Sequence, residues 1–229
     1  SLACAVHLRK LTLEGCMLGD ACVRRVCEIA GAQLCSLRTL KLAHNNISNK
    51  LNELGGLAQC VTLRSLDLSR NALTHEGLVK LCNLAPLEKS LRKLRLASNG
   101  GDTYGFEKRD LIALGVLAGC LLRLEHLDMS YNAFASENSA AETFAKFLAV
   151  SRTLRTLVLR GCALASPDVR RMALHVRRIG TLERLDLSRN FELEQLRAVL
   201  PLASCTSLRE LRLRRVSRFQ LRDNAARSL

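Results

Sequence analysis

One pattern recurs along this chain of 229 residues and constrains its fold more than any other feature. The pattern has Leu at its first, fourth and sixth positions, Asn or Cys at its ninth and, in most copies, an apolar residue at its eleventh. Clear copies read LRTLKLAHNNI, LRSLDLSRNAL and LRTLVLRGCAL. Successive copies are 26 to 33 residues apart, which predicts a repeat architecture. The eight copies start at Leu8, Leu37, Leu63, Leu91, Leu124, Leu154, Leu182 and Leu208.

The residue types of the pattern predict one short strand in each repeat. Leu at the fourth and sixth positions alternates with polar residues, which is the period of a strand with one buried face. The Asn amide both donates and accepts, so it suits bonds to its own turn and to the neighbouring repeat. Cys16 and Cys162 take that position in two repeats, where a compact, weakly donating thiol also fits.

The segments between the strands read as returning helices. The clearest is SPDVRRMALHVRRIG, in which Ser166 is suited to cap, Pro167 to the first turn and Gly180 to the exit. One apolar stripe at helical spacing is predicted to face the core. The stripe comprises Val169, Met172, Ala173, Val176 and Ile179.

The ten cysteines favour buried thiols over a disulfide framework or a zinc site. The chain contains no CxxC pair, and short LAxC segments place Cys60, Cys120 and Cys205 just before the next strand. Cys35 has a similar position, so all four are predicted to be core residues. Reduced, buried thiols indicate an intracellular, reducing compartment: the cytoplasm, the cytoskeleton or an organelle ribonucleoprotein.

Through these eight copies the chain resembles the leucine-rich repeat superfamily, and within it the ribonuclease-inhibitor-like class. The resemblance covers essentially the whole sequence. It implies an α/β horseshoe solenoid of about eight repeats, with parallel strands on the concave face and helices on the convex face. We expect residues 1–229 to form a single leucine-rich repeat domain that belongs to a longer chain, because no polar capping unit precedes the first strand.

The charge is strongly positive and unevenly distributed. The chain has 35 basic and 21 acidic residues, a net charge of +14. Residues 150–229 hold 17 basic and 7 acidic side chains, and the last copy, LRELRLRRVSR, is the most basic. This asymmetry favours an acidic partner: a protein surface, RNA or an anionic membrane.

Two rows of side chains are predicted to define the concave face. The residue between the two central leucines forms a central row that alternates in charge, so neighbouring strands are expected to pair their charges. The residue before the Asn position forms a second row, in which arginines and Tyr131 are the expected anchors of a protein partner. The candidate concave residues are Lys41, Arg70, Arg95, Tyr131, Arg160, Arg189, Arg212, Arg214 and Arg215.

A second basic surface is predicted on the convex face. Arg170, Arg171, Arg177 and Arg178 fall on one side of the helix that follows Pro167, away from its apolar stripe. The alternative is an ordinary solvated helix face. The insertion Asn99–Asp110 is predicted to be a loop, with contact to a partner as the alternative reading.

No catalytic, metal or cofactor site is predicted. The five histidines are scattered, and no Ser or Cys stands beside them in a recognisable triad. No phosphate-loop or dinucleotide fingerprint is present, and no run of ~18 apolar residues suggests a membrane span. We therefore expect a non-enzymatic protein with no cofactor and no small-molecule substrate.

The leading functional hypothesis is a protein-interaction scaffold that acts as a subunit of a larger intracellular assembly. One alternative is a ribonucleoprotein component that contacts RNA phosphates, although the 3% aromatic content argues against base stacking. A further alternative is a cytoskeleton-associated module on an acidic filament. The superfamily resemblance also suggests regulation of a small GTPase or a nuclease, but a mixed-to-basic concave face does not suit a basic nuclease.

Overall fold

The computed structural model describes residues 6–34, 36–47, 51–73, 75–82, 85–99, 117, 120–134, 151–176 and 180–216. Each of the eight repeats contributes one three-residue strand, and the strands form one sheet in chain order. The strands are β1 (Lys10–Thr12), β2 (Thr39–Lys41), β3 (Ser65–Asp67), β4 (Lys93–Arg95), β5 (His126–Asp128), β6 (Thr156–Val158), β7 (Arg184–Asp186) and β8 (Glu210–Arg212).

Every neighbouring pair of strands is parallel and in register with the sequence repeat. The central leucine of each strand lies opposite the central leucine of the next, as Leu40 does to Leu66 and Leu66 to Leu94. The predicted solenoid of parallel strands, with helical segments returning on the other side, is confirmed.

The pattern leucines form the core between the sheet and the returning segments. In the second repeat Leu37, Leu40 and Leu42 are fully buried, and the interior repeats follow the same scheme. The buried residues form one continuous cluster along the solenoid. Because each repeat buries its leucines only against its neighbours, the terminal strands are the least covered, and Leu11 and Leu211 are only partly buried.

The returning segments are helical, but several are wound more tightly than predicted. The α-helices in the described residues are α1 (Asp20–Ala32), α2 (His75–Cys82), α3 (Ala85–Ser90) and α4 (Ser166–Val176). The segments Leu51–Gln59, Leu196–Ala198 and Leu200–Ser204 are 3₁₀-helices. A short return path favours the narrower 3₁₀ winding, which rises further per residue.

Helix α4 places its apolar stripe as predicted, but its cap differs. Val169, Met172, Ala173 and Val176 are buried, whereas Ile179 lies outside the described residues. Ser166 does not cap its own helix, because it is already helical. Its hydroxyl instead accepts hydrogen bonds from the backbone N–H groups of Glu194 and Gln195, both at 3.0 Å, in the next repeat.

The prediction of buried cysteines is confirmed at most described positions, including Cys27, and is wrong for Cys16 and Cys22. Cys60 and Cys205 are buried and Cys120 is partly buried, while Cys35 lies outside the described residues. Cys162 is buried as well. Cys16 and Cys22 are exposed, because the repeat that contains them has a neighbouring described repeat on only one side. The described structure contains no disulfide at Cys16, Cys22, Cys27, Cys60, Cys120, Cys162 or Cys205.

The buried asparagines hold the carboxyl ends of the strands together, as the pattern predicts. Asn71 donates from Nδ2 to the carbonyls of Leu68, in its own repeat, and Leu42, in the preceding one, at 2.9 and 3.1 Å. Its Oδ1 accepts the N–H groups of Asn45 and Ile47, both at 3.0 Å. One amide therefore satisfies four backbone groups where the chain bends out of the sheet.

Helix α1 packs so closely on the next returning segment that two backbones touch. A side chain at Gly31 would place its Cβ 2.0 Å from the carbonyl oxygen of Gly56. A Cβ at Gly56 would in turn lie 2.4 Å from the amide nitrogen of Glu28. The two glycines are therefore required by this contact, whereas Gly55, one residue earlier, has open space around it.

Candidate interaction surface

The first and third residues of each strand face outward and build the concave surface. Their partners in register are the equivalent residues of the neighbouring strands, so each position forms a row across the sheet. The central row, made of the third residues, comprises Thr12, Lys41, Asp67, Arg95, Asp128, Val158, Asp186 and Arg212.

The central row pairs its charges at one place and diverts them at others. Arg95 reaches Asp67 of the preceding strand at 3.3 Å. Asp128 and Asp186 instead accept the backbone N–H of the serine two residues later, at 3.0 and 2.9 Å. The predicted alternation of charge therefore gives only partial pairing. Asp67 makes both contacts, since its Oδ1 accepts the N–H of Ser69 at 3.1 Å while its Oδ2 lies 3.3 Å from Arg95.

Arg212 pairs with a residue outside the central row. Its Nε lies 2.6 Å from Oε1 of Glu210, in the same strand, while Oε2 of Glu210 lies 3.3 Å from Nε of Arg184. Both arginines are more than half exposed in their side chains. These surface contacts orient the basic C-terminal strands but contribute little to stability.

A basic centre lies on adjacent strands where Lys93 faces His126 in register. Burial, and then the nearby Arg95, lowers the pKa of Lys93. Burial, and then the charge of Lys93, lowers the pKa of His126 to about 4. His126 is therefore neutral at pH 7.

The residue before the Asn position has a left-handed backbone in every repeat. This carboxyl-end row has φ between 53° and 66°. Such values suit glycine and cost other residues conformational energy, yet six of the eight positions carry side chains. The row comprises Gly15, His44, Arg70, Ser98, Tyr131, Gly161, Arg189 and Arg215.

Tyr131 lies at the centre of a small aromatic and basic group in this row. Its side chain is exposed, and a Cβ added at Gly161 in the next repeat would lie 2.8 Å from its ring. The guanidinium carbon of Arg160 is 5.8 Å from the ring centroid, within the range of a cation–π contact. We call Tyr131, Arg160, Gly161 and Arg189 the carboxyl-end cluster.

The two arginines of the carboxyl-end cluster have unused donors. Nε of Arg160 and Nε of Arg189 are both buried and have no hydrogen-bond partner among the described residues. A buried donor without an acceptor is costly, so these two Nε groups are an unfavourable feature of the carboxyl-end cluster. The sequence row identified Tyr131 and Arg189 but did not reveal that the missing side chain of Gly161 makes room for the ring.

The remaining concave candidates are spread along the face. Arg70 is exposed in the carboxyl-end row, and Lys41 is partly exposed at the end of β2. Arg212, Arg214 and Arg215 are exposed on the last described repeat. They form a separate basic edge at β8, three repeats along from the strand that precedes Tyr131.

The predicted convex face is described only in its first half. Arg170 and Arg171 are exposed on α4, as their positions opposite the buried stripe require. Arg177 and Arg178 lie outside the described residues, as do residues 100–110 of the predicted loop insertion. The convex basic group as a whole therefore stays a prediction.

The thiol of Cys162 has a structural role, and the described carboxylates form no metal site. Burial raises the pKa of the Cys162 thiol, whose Sγ donates to the carbonyl of Met129 at 3.3 Å. Among the described residues, no group of three or more His, Cys, Asp or Glu is arranged to hold a metal ion. None of the helices within the described ranges has the length and apolar character needed to cross a membrane.

This geometry defines a class: an α/β solenoid in which each repeat adds one parallel strand and one Asn-bridged turn. The family described as Leucine Rich repeat matches residues 33–50 and 59–82. The chain is a leucine-rich repeat protein. Such domains act in protein–protein interaction.

Similar proteins include three curated relatives. The chain is 29% identical to human NACHT, LRR and PYD domains-containing protein 14, over 81% of this chain and 17% of that protein. It is 31% identical to the mouse protein of that name, over 82% and 19%. It is 40% identical to mouse NACHT, LRR and PYD domains-containing protein 9C, over 35% and 8%. The chain thus spans less than a fifth of these relatives.

Two solved structures resemble the fold more distantly. The tropomodulin C-terminal domain of Caenorhabditis elegans is 16% identical, with a TM-score of 0.48, over 63% of this chain and 86% of that one. A leucine-rich repeat protein of Leptospira interrogans is 20% identical, with a TM-score of 0.49, over 79% and 43%.

Proposed function

We propose that this chain is a non-enzymatic scaffold whose concave face binds an acidic protein segment, anchored at the carboxyl-end cluster. The observation that carries the proposal is the arrangement of Tyr131 between Arg160 and Gly161. Tyr and Arg are the side chains most enriched where binding energy concentrates. Here an exposed aromatic ring and two arginines lie side by side on a rigid repeat surface.

The electrostatics of the carboxyl-end cluster support an acidic partner. Arg160 and Arg189 each present a guanidinium whose Nε has no acceptor within the described protein. These Nε atoms are buried, so a carboxylate of the partner would form charge-assisted bonds with the Nη groups of the two guanidinium groups instead. The basic edge at Arg212, Arg214 and Arg215 extends the positive surface and would favour the approach of an acidic segment.

We further propose that the chain works as the leucine-rich repeat portion of a larger protein or assembly in a reducing compartment. The curated relatives are named for NACHT and PYD domains besides their LRR, and this chain corresponds to a small part of their length. The buried thiols Cys27, Cys60 and Cys162, which form no disulfide, support the compartment, because they pack as core residues.

The test is affinity capture from cell lysate, followed by binding measurements with each purified candidate partner. Tyr131→Ala should weaken a partner of the concave face by about tenfold or more. Leu174→Ala is the matched control, because Leu174 is 45% exposed on α4 and Tyr131 is 46% exposed on the concave side. Partners that bind Tyr131→Ala as tightly as the unmodified protein would contradict the proposal.

A pair of glycine variants separates loss of the site from backbone strain. Gly161 and Gly15 have nearly equal φ values, 63° and 66°, so Ala strains both turns similarly. Only Gly161→Ala pushes against the Tyr131 ring, since a Cβ at Gly15 finds its nearest neighbour, in His44, at an ordinary 3.7 Å. Gly161→Ala should therefore reduce partner binding and Gly15→Ala should not. Equal loss in both would assign the effect to strain.

A further inference from the structure

A polar pocket opens at the opposite ends of the strands, away from the carboxyl-end cluster. Its volume is about 380 Å³, and it lies across the turns that precede β6, β7 and β8. We call it the amino-end pocket. Residues that line it include Arg152, Arg155, Thr181, Glu183, Thr206 and Arg209.

The turns that line the pocket share a hydroxyl position, just before the first leucine of the repeat. Thr62, Thr153 and Ser207 each donate from the hydroxyl to the carbonyl of the first leucine of the preceding repeat, at 2.8 to 2.9 Å. Thr181 has the same position in the seventh repeat. Its Oγ1 is buried but has no hydrogen-bond partner among the described residues, so the pocket wall holds an orphaned hydroxyl.

The pocket has more positive than negative charges. Its two carboxylates are already paired, Glu183 with Arg155 and Glu125 with Arg92. Two lining arginines, Arg152 and Arg209, have no ion pair among the described residues, and both are exposed to the pocket mouth. The pocket therefore presents two uncompensated positive charges, from the sixth and eighth repeats, on either side of Thr181.

We infer that the amino-end pocket binds a phosphate monoester carried on a phosphorylated serine or threonine of a protein partner. A monoester carries close to two negative charges at pH 7, which would balance Arg152 and Arg209. Guanidinium groups bind its oxygens through paired hydrogen bonds, and its acceptor oxygens match the exposed hydroxyl of Thr206. The buried hydroxyl of Thr181 would reach them after its side chain rotates toward the pocket. The pocket volume suits one modified side chain better than an extended nucleic-acid backbone.

Phosphate binding here is independent of the concave binding proposed above, because the pocket lies at the other ends of the strands and shares no residue with the carboxyl-end cluster. The pocket is lined by residues of four consecutive repeats, the fifth to the eighth, which a bound partner segment could contact. Phosphorylation of that segment would then switch its binding on through charge-assisted bonds.

The experiment screens the purified chain against a degenerate peptide library with phosphoserine or phosphothreonine at a fixed central position, beside the same library unphosphorylated. Binding of the phosphorylated library alone is expected. In Arg152→Gln/Arg209→Gln the affinity for selected phosphopeptides should fall about tenfold or more. Arg9→Gln/Arg38→Gln is the matched control: it removes two exposed arginines, both at the repeat position of Arg209, far along the solenoid.

A second variant tests the orphaned hydroxyl. Thr181→Val should weaken phosphopeptide binding without lowering the melting temperature, because no hydrogen bond of this hydroxyl to the described chain is lost. Thr153→Val, in the equivalent turn, should lower the melting temperature, since it breaks the bond to Leu124. A stability loss in Thr181→Val like that of Thr153→Val would make Thr181 an ordinary structural hydroxyl and remove this support.

Three outcomes would overturn the inference. Equal retention of phosphorylated and unphosphorylated libraries would show that the pocket does not read phosphate. Equal loss of phosphopeptide affinity in the two double arginine variants would show that the effect comes from overall positive charge and not from the pocket. The third outcome is that single-stranded polyuridine binds more tightly than any phosphopeptide and that both double arginine variants lose this binding. It would assign the basic surface to RNA.

Discussion

The two ends of the strands in this sheet are built by opposite rules. At the carboxyl ends, each Asn side chain is buried and bonds the backbone of two repeats, as Asn71 does with four partners. At the amino ends, charged side chains pair in solvent, as Arg155 does with Glu183, and single hydroxyls such as that of Thr153 bond the preceding repeat. The carboxyl ends therefore hold neighbouring repeats together through more hydrogen bonds for each side chain than the amino ends do.

Removing an Asn from the carboxyl ends should have the largest effect on stability. Asn190 donates to Leu159 and Leu187 and accepts from the N–H groups of Cys162 and Leu164, with distances of 2.8 to 3.1 Å. Asn190→Ala leaves these buried groups unsatisfied, so we expect a loss of about 3 kcal/mol in the free energy of unfolding. Urea denaturation measures it; a loss under about 0.5 kcal/mol would contradict the role given to the carboxyl ends.

The second-largest loss of stability is expected at a backbone contact on the convex side. This contact tests whether tight stacking is confined to the carboxyl ends. Gly56→Ala places a Cβ against the backbone of α1, which must shift, so we expect a loss of about 2 kcal/mol. Gly55→Ala is the control, because nothing lies within 4 Å of its added Cβ. Thermal denaturation of both compares them, and equal melting temperatures would show that α1 yields to the extra carbon.

Acid should probe the middle of the strands, between the two ends. The folded pKa of His126, about 4, lies below its ordinary value of 6.5. Between these values the unfolded chain takes up a proton that the folded chain does not, so stability falls as the pH drops through this window. His126→Gln should lose less stability from pH 7 to pH 4.5 than the unmodified protein. An equal loss in both proteins would contradict the role given to His126.

The smallest effect is expected at the amino ends. Arg155 is 59% exposed in its side chain, and its pair with Glu183 is open to solvent. Arg155→Ala should change the free energy of unfolding by at most about 0.5 kcal/mol. A double-mutant cycle with Glu183→Ala isolates the pair. A coupling of roughly 2 kcal/mol or more, the value of a buried network, would erase the contrast between the ends of the strands.

The strands and their register were predictable because they follow from local periodicity. Leu at the fourth and sixth positions places one face in the core in every repeat, and the structure confirms it from Leu40 to Leu187. The Asn contacts were also predictable, since the amide has one suitable role in a turn that ends a strand. Because these features occur in every repeat, a departure from the pattern at one position does not change the predicted fold.

What could not be predicted depends on contacts between repeats that differ from one repeat to the next. Ser166 has the local properties of a cap, but its hydroxyl bonds the following repeat, at Glu194 and Gln195. The room for the Tyr131 ring depends on the absence of a side chain at Gly161. The amino-end pocket is formed by turns of the fifth to eighth repeats, and no sequence motif predicts it.

The left-handed carboxyl-end row has a practical consequence for mapping this surface. In most proteins alanine is the neutral replacement, but at Arg70, Tyr131 and Arg189 alanine keeps the backbone strain while it deletes the side chain. Glycine deletes the side chain and relieves the strain, as the chain itself already does at Gly15 and Gly161. A glycine scan of this row would therefore remove its surface chemistry one repeat at a time while the scaffold stays intact.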